Sequence, residues 1–286
     1  MEKRGQISLF LILAVSLVAI AGLFIYFNGI SSKNPNVETP IASADVDTVK
    51  SYAETCIKKI AEEALYTKIG KQGGYINPKG QPNVDNGKSK YNSNPVTYHG
   101  SDVPFYIEKE TLTGSPQFYT YIPSLDSINI KLGNYLQSEF HNCFDIGIFK
   151  DTGIDVTEQE GKKIKFSVNS NSDDVSIVLN YPLLIKKGTV ISNLNSFAIY
   201  LPIRLKLNQE SASNLVESIK AIQPNAYDIS SNCYFDSRHL TNVFLENIPN
   251  GKIIRFVDYS SYNPKYPSFT FQFAVKDVNI VGECIG

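Results

Sequence analysis

By type, the residues of this 286-residue chain most able to do chemistry are its four cysteines, Cys56, Cys143, Cys233 and Cys284. They stand far apart, with no CxxC pair and no Cys/His spacing of a zinc site, so the chemistry they suggest is disulfide formation. An even number in a domain outside the cytoplasm favours two bonds, and more than one pairing is open. The histidines His99, His141 and His239 share no motif. His141 falls near a helix end, where a basic side chain suits the dipole. There is no HExxH, no GxSxG, no glycine-rich phosphate loop and no EF-hand spacing. The acidic pairs have structural explanations. Asp45 and Asp47 open a helix, Asp173-Asp174 suits a hairpin turn, and Glu62-Glu63 and Glu108-Lys109-Glu110 fit solvated faces. These residues supply no catalytic group, metal ligand or cofactor site, so a non-catalytic role leads and an extracytoplasmic enzyme comes last.

Those cysteines need elements to hold them. Val46, Val49, Ala53, Cys56, Ile60 and Ala64 recur at three and four residues, which predicts an amphipathic helix over Asp45–Ile69 with Cys56 on its apolar face. Glu54 and Lys58 offer an i,i+4 pair on the exposed side, and Gly70 with Gly73-Gly74 offers a stop. A second helix is predicted over Ser124–Phe144, capped by Ser124, with Ile128, Leu132, Tyr135, Leu136, Phe140 and Cys143 on one face. If the two stripes pack together, Cys56 meets Cys143, and Cys233 is left for Cys284.

Between these helices, Tyr75–Pro123 is rich in Gly, Pro, Asn and Tyr, with short strand-like pieces at Val103–Ile107 and Gln117–Ile122. Tyr75, Tyr91, Tyr98, Tyr106, Tyr119 and Tyr121 crowd it, and Tyr259, Tyr262 and Tyr266 stand in or beside a late Ser260–Pro267 loop. Tyrosines of this kind either present a contact surface or tile the edge of a sheet.

Beyond Thr152 the apolar period becomes two. Ile164, Phe166 and Val168 alternate, then turn at Asn169–Asp173 into Val175, Ile177, Leu179 and Tyr181. Six alternating positions from Phe197 to Leu207 predict the longest strand, with Pro202 marking an edge or a bulge. Helical spacing returns over Gln209–Ile222 and ends at Pro224. Asn250-Gly251 predicts a tight turn, and Ile254, Phe256, Phe269, Phe271, Phe273 and Val275 predict the last strands. Strands with one apolar face, beside amphipathic helices, predict an α+β domain: an antiparallel sheet with helices packed on one side.

The N-terminus places this domain. Ile7–Phe27 carries no charge and, as a helix, is roughly 30 Å long, the thickness of a bilayer's hydrocarbon core. Lys3 and Arg4 precede it, while Lys33 and then Glu38, Asp45 and Asp47 follow, so residues 1–5 are expected in the cytoplasm and the rest outside. The expected order is a cytoplasmic head at 1–5, a membrane helix at 6–27, a flexible linker at 28–44 and an external domain at 45–286, with subdomains 45–150 and 151–286 a further option. A net charge of −1 with interspersed signs gives no basic stripe for nucleic acid.

Lys3-Arg4-Gly5-Gln6-Ile7-Ser8-Leu9 before an apolar helix resembles the class III signal peptide of archaeal type IV pilin-like proteins. That resemblance implies cleavage between Gly5 and Gln6 by a prepilin peptidase, and self-association into a filament through the apolar helices. Phe10 stands where many of these proteins carry Glu, and the Asn28–Ala44 spacer interrupts the helix, so a tether is favoured over a filament spine. The remainder resembles single-pass surface proteins of DPANN-type archaea. The residues that carry the likeness are Cys56, Glu62-Glu63-Ala64-Leu65, Gln72-Gly73-Gly74-Tyr75, Ile122-Pro123-Ser124-Leu125, Asn180-Tyr181-Pro182-Leu183 and Leu201-Pro202-Ile203-Arg204. It implies a topology rather than an activity. The expectation is therefore a membrane-anchored, non-catalytic structural or binding protein of the cell surface. Its contacts are the lipid bilayer through Ile7 to Phe27 and either a surface-protein partner or further copies of itself.

Overall fold

The computed structural model describes residues 41–76, 94–112, 115–159, 161, 163–223, 225–230 and 241–282. Gly5, Gln6, Ile7–Phe27, Tyr91, Cys233, His239 and Cys284 lie outside the described residues. The chain divides into two compact units, Met1–Asp45 and Val46–Gly286.

Helix α1 spans Ile41–Glu63, starting four residues before the Asp45 expected from the sequence, and continues as a π-helical turn over Ala64–Ile69. Val49, Ala53, Cys56, Ile60 and Ala64 are buried, as the stripe predicts. The expected Glu54–Lys58 pair is replaced by Lys50–Glu54 and Lys58–Glu62, each one turn along the helix. Gly74, at φ +78°, has a backbone that side-chain-bearing residues seldom adopt, and its N–H caps the Ile69 carbonyl.

A small hairpin, β1 (Val96–Tyr98) and β2 (Ser101–Val103), leads into β3 (Phe105–Leu112) and β4 (Ser115–Thr120). Helix α2 (Leu125–Cys143) follows, its Ser124 cap accepting the Ser127 N–H at 3.2 Å. After a 3-10 turn at Ile146–Thr152 come β5 (Asp155–Glu158), β6 (Lys165–Ser170), β7 (Val175–Lys187) and β8 (Val190–Leu201). Helix α3 (Leu205–Ile222) is followed by β9 (Tyr227–Asp228), β10 (Thr241–Ile248), β11 (Gly251–Asp258), β12 (Phe269–Lys276) and β13 (Ile280–Val281).

One sheet runs β10-β11-β12-β3-β4. Its β12–β3 pairing is parallel, with Ala274 opposite Phe105 and Val275 opposite Ile107. The wholly antiparallel sheet expected is thus corrected to a mixed one, because alternation reveals which face a residue takes and not the direction of its neighbour. In the other sheet, β5 and β6 pair with the two halves of β7 along one side, and β8 pairs with the opposite side. A two-stranded β9–β13 pair is also parallel.

The inner faces of both larger sheets meet α1, α2 and α3 in a single apolar core, including Ile57, Leu136, Ile177, Leu215 and Phe271. The α+β class agrees with the sequence, while the single sheet expected is replaced by two larger sheets. The division considered near residue 150 is crossed by this core and by the β3–β12 pairing. The β1–β2 hairpin covers the far face of the five-stranded sheet, over Ile253 and Ala274.

Two other expectations change. The alternation from Phe197 to Leu207 ends as strand at Leu201, since Pro202 has no N–H for the ladder. Leu205 already begins α3, which replaces the Gln209 start. The Asn250-Gly251 turn shifts by one residue: Ile248 pairs with Gly251, and Pro249-Asn250 form the loop, with Asn250 at φ +63°. Among the described residues no helix is long and apolar enough to cross a membrane.

Candidate functional site

Cys56 and Cys143 are joined, with Cα atoms 5.8 Å apart, as the packing of two apolar stripes predicts. The described part of the chain does not reach Cys233 or Cys284. Tyr52 of α1 braces the same junction, its hydroxyl donating to the Cys143 carbonyl at 2.9 Å while its ring packs on Phe144 and Phe149.

Of the described histidines, His99 and His141 are not brought together. His99 sits in the β1–β2 turn at φ +46°, against Tyr98, whereas His141 is exposed on the last turn of α2 near Tyr181. Among the described residues no three His, Cys, Asp or Glu side chains converge on a possible metal position.

Among the described residues, four of the tyrosines in these segments serve packing. Tyr106 is fully buried, stacks on Phe273 and donates to the Gly73 carbonyl at 2.8 Å. Tyr75 is buried beneath the Lys131 ammonium, 4.2 Å from its ring centre. Tyr98 donates to Glu246, and burial together with that hydrogen bond pushes its pKa up to about 12. Tyr266 stacks on Tyr66 at 4.5 Å. Tyr259 and Tyr262 remain exposed. Glu108 is buried rather than solvated, with Oε1 lacking a hydrogen-bond partner.

Buried polar groups concentrate at Arg204 and Asp258. Arg204 Nε and Nη2 lie 2.9 and 2.6 Å from the two Asp258 oxygens, and Nη2 also donates to Thr241 at 3.0 Å. Ser260 and Ser261 donate to the same carboxylate. Burial alone would raise the Asp258 pKa, but the hydrogen bonds from Arg204, Ser260 and Ser261 and the guanidinium charge outweigh it and hold it below the usual carboxylate range. Arg204, Thr241, Asp258 and Ser261 are all buried, so the cluster joins core elements and has a structural role.

A ligand-sized opening lies elsewhere, between α2 and the outer edge of β6, with a volume of about 490 Å³. Its helical wall is Asp126, Asn129, Ile130, Gly133, Asn134 and Gln137, a stripe of three- and four-residue spacing on the side of α2 that faces β6. Phe166, Ser167, Val168 and Asn169 form the strand wall. Ile130 is 63% exposed. Ser170 donates to Asn129 Oδ1 at 2.6 Å and ties the walls together. Asn169 Nδ2 donates to Asn171 Oδ1 at 3.1 Å, and Asn171 is held by Asp174 across the β6–β7 turn.

At the base of the groove Gly133 is buried against β6. A methyl group there would lie 3.8 Å from the Phe166 carbonyl oxygen and 3.8 Å from Val168 Cγ2, which is ordinary contact. Packing therefore does not demand glycine, although glycine within a helix costs about 1 kcal/mol relative to alanine. Among the described lining residues Asp126 alone is charged. The groove thus offers carboxamides that both donate and accept, a hydroxyl at Ser167 and an apolar patch at Ile130.

The sequence reading does not pick out this groove, since its residues lie in two separate segments and resemble ordinary surface. The available signal was Gly133 inside a helical pattern, flanked by Asn and Gln where Lys and Glu are commoner. The chain matches no family model, no curated protein and no solved structure.

Proposed function

We propose that the chain is a membrane-tethered external binding domain, anchored through Ile7–Phe27 and presenting the α2–β6 groove to its ligand without transforming it. The groove carries this reading: a cleft of about 490 Å³, within the usual range for ligand sites, is lined by hydrogen-bonding groups that are neither nucleophiles nor acid–base pairs. The Cys56–Cys143 bond supports an oxidising compartment, and the uncharged run with Lys3 and Arg4 before it supports an external orientation. The test is protease shaving of intact cells followed by fractionation. The expected result is loss of the 45–286 domain to added protease, with a short anchored stub left in the membrane. Protection in intact cells, or recovery of the whole chain in the soluble fraction, would count against it.

A second reading, a subunit of a pilin-like filament, is favoured by Lys3-Arg4-Gly5-Gln6-Ile7-Ser8. Intact-mass analysis of the mature protein separates the two: a chain beginning at Gln6 supports the filament, and one retaining Met1–Gln6 removes it.

A further inference from the structure

The groove's chemistry narrows its ligand, an inference that rests on the reading above of the groove as the binding site. An anion would find no lysine or arginine among the described lining residues. A metal ion would find the single carboxylate of Asp126. A purely apolar ligand would strip water from the carboxamides of Asn134 and Gln137, which is unfavourable. An extended peptide would have to hydrogen-bond along β6, spaced about 4.8 Å from it. Helix α2 already occupies that space at Gly133, where even a methyl group would be 3.8 Å from the Phe166 carbonyl oxygen.

A hydroxyl-rich, uncharged molecule meets each condition. A carboxamide donates through its nitrogen and accepts through its oxygen, so one Asn or Gln can engage two neighbouring hydroxyls at once. Asn134, Gln137 and Asn169 are exposed, with Asn134 and Gln137 on successive turns of one helix, and Ile130 offers a surface for the C–H face of a sugar ring. We infer that the α2–β6 groove binds a neutral glycan, with Asn134, Gln137 and Asn169 reading its hydroxyls.

The test uses the full-length chain in lipid nanodiscs, because maltoside detergents would themselves offer sugar. Binding to an array of neutral glycans (glucans, mannans, galactans and N-acetylglucosamine oligomers) and of sulfated or uronic-acid glycans is measured for the wild type, N134A, Q137A and N169A. In parallel, a photo-crosslinking residue replaces Ile130 in cells. The expected result is binding of a neutral glycan, unaffected by added salt, and weakened about tenfold by each substitution through loss of its hydrogen bonds. Neutral-glycan binding that all three variants retain at wild-type strength overturns the assignment, as does preference for the charged glycans. If no neutral glycan binds but position 130 captures a protein, the glycan is wrong while the groove stands as a binding site. If neither occurs, the glycan inference and the binding role of the groove both fail.

Discussion

Arg204 grips Asp258 through two separate nitrogens, Nε at 2.9 Å and Nη2 at 2.6 Å, and so joins the turn after β8 to the end of β11. The pair ties one large sheet to the other, and both side chains are almost wholly buried. Removing Arg204 alone leaves a buried carboxylate with only neutral donors. R204M is expected to lower unfolding free energy by about 3–5 kcal/mol in urea titration. The double variant R204M/D258L should recover most of that loss, because it removes the stranded charge. A loss below about 1 kcal/mol in R204M would show that the pair does not help hold the sheets together.

The same carboxylate sets an acid limit. Its folded pKa lies below the value of about 3.9 in the unfolded chain, so its stabilisation is complete above that value. Stability should fall as pH drops from about 4 through the folded pKa, as the native state resists protonation that the unfolded chain accepts. Melting temperature measured across this range should decline less steeply in R204M/D258L than in the wild type.

Cys56 and Cys143 stand 87 residues apart in the chain, so their bond restricts a large loop in the unfolded state. The variant C56S/C143S should lose about 2–5 kcal/mol of stability. Peptide mapping without reductant should recover Cys56 linked to Cys143, and a Cys56–Cys233 peptide would contradict the structure.

Gly133 and Gly251 predict opposite outcomes for the same substitution. G133A should stabilise α2 by about 0.5–1 kcal/mol, since its methyl group meets only ordinary contacts. At Gly251 a Cβ would fall 2.0 Å from the Val275 carbonyl oxygen, so G251A must displace backbone and should destabilise by at least 1 kcal/mol. Thermal unfolding of the two variants side by side checks both signs.

The helices and the Cys56–Cys143 pairing were legible because each depends on one stripe of apolar residues within one element. Val49, Ala53 and Cys56, like Ile128, Leu132 and Phe140, sit on the buried faces that their spacing implies. The β3–β12 pairing was not legible, for Phe105 and Ala274 meet across most of the chain and alternation is silent about strand direction. Pro202 reads as an edge or a bulge, but its missing N–H in fact ends the strand, and Arg204 beyond it turns inward to Asp258. The groove escaped for a different reason. Asn129, Asn134 and Asn169 look individually like solvated surface, and only folding places α2 against β6 to make them two walls of one cleft.

The position of Cys56 partway along α1 has a mechanical consequence. Helix α1 is the first described element after the residues that lead from the N-terminus, so tension applied at that end enters the domain through it. Unravelling from Ile41 can proceed only as far as Cys56 before the load passes through sulfur to Cys143 at the end of α2. The stretch between the two cysteines, including β3 and the helical wall of the groove, is then bypassed by the covalent path. Under a steady pull the residues between the two cysteines should add no length to the extended chain until a reductant is added, whereas β6, beyond Cys143, stays on the loaded path.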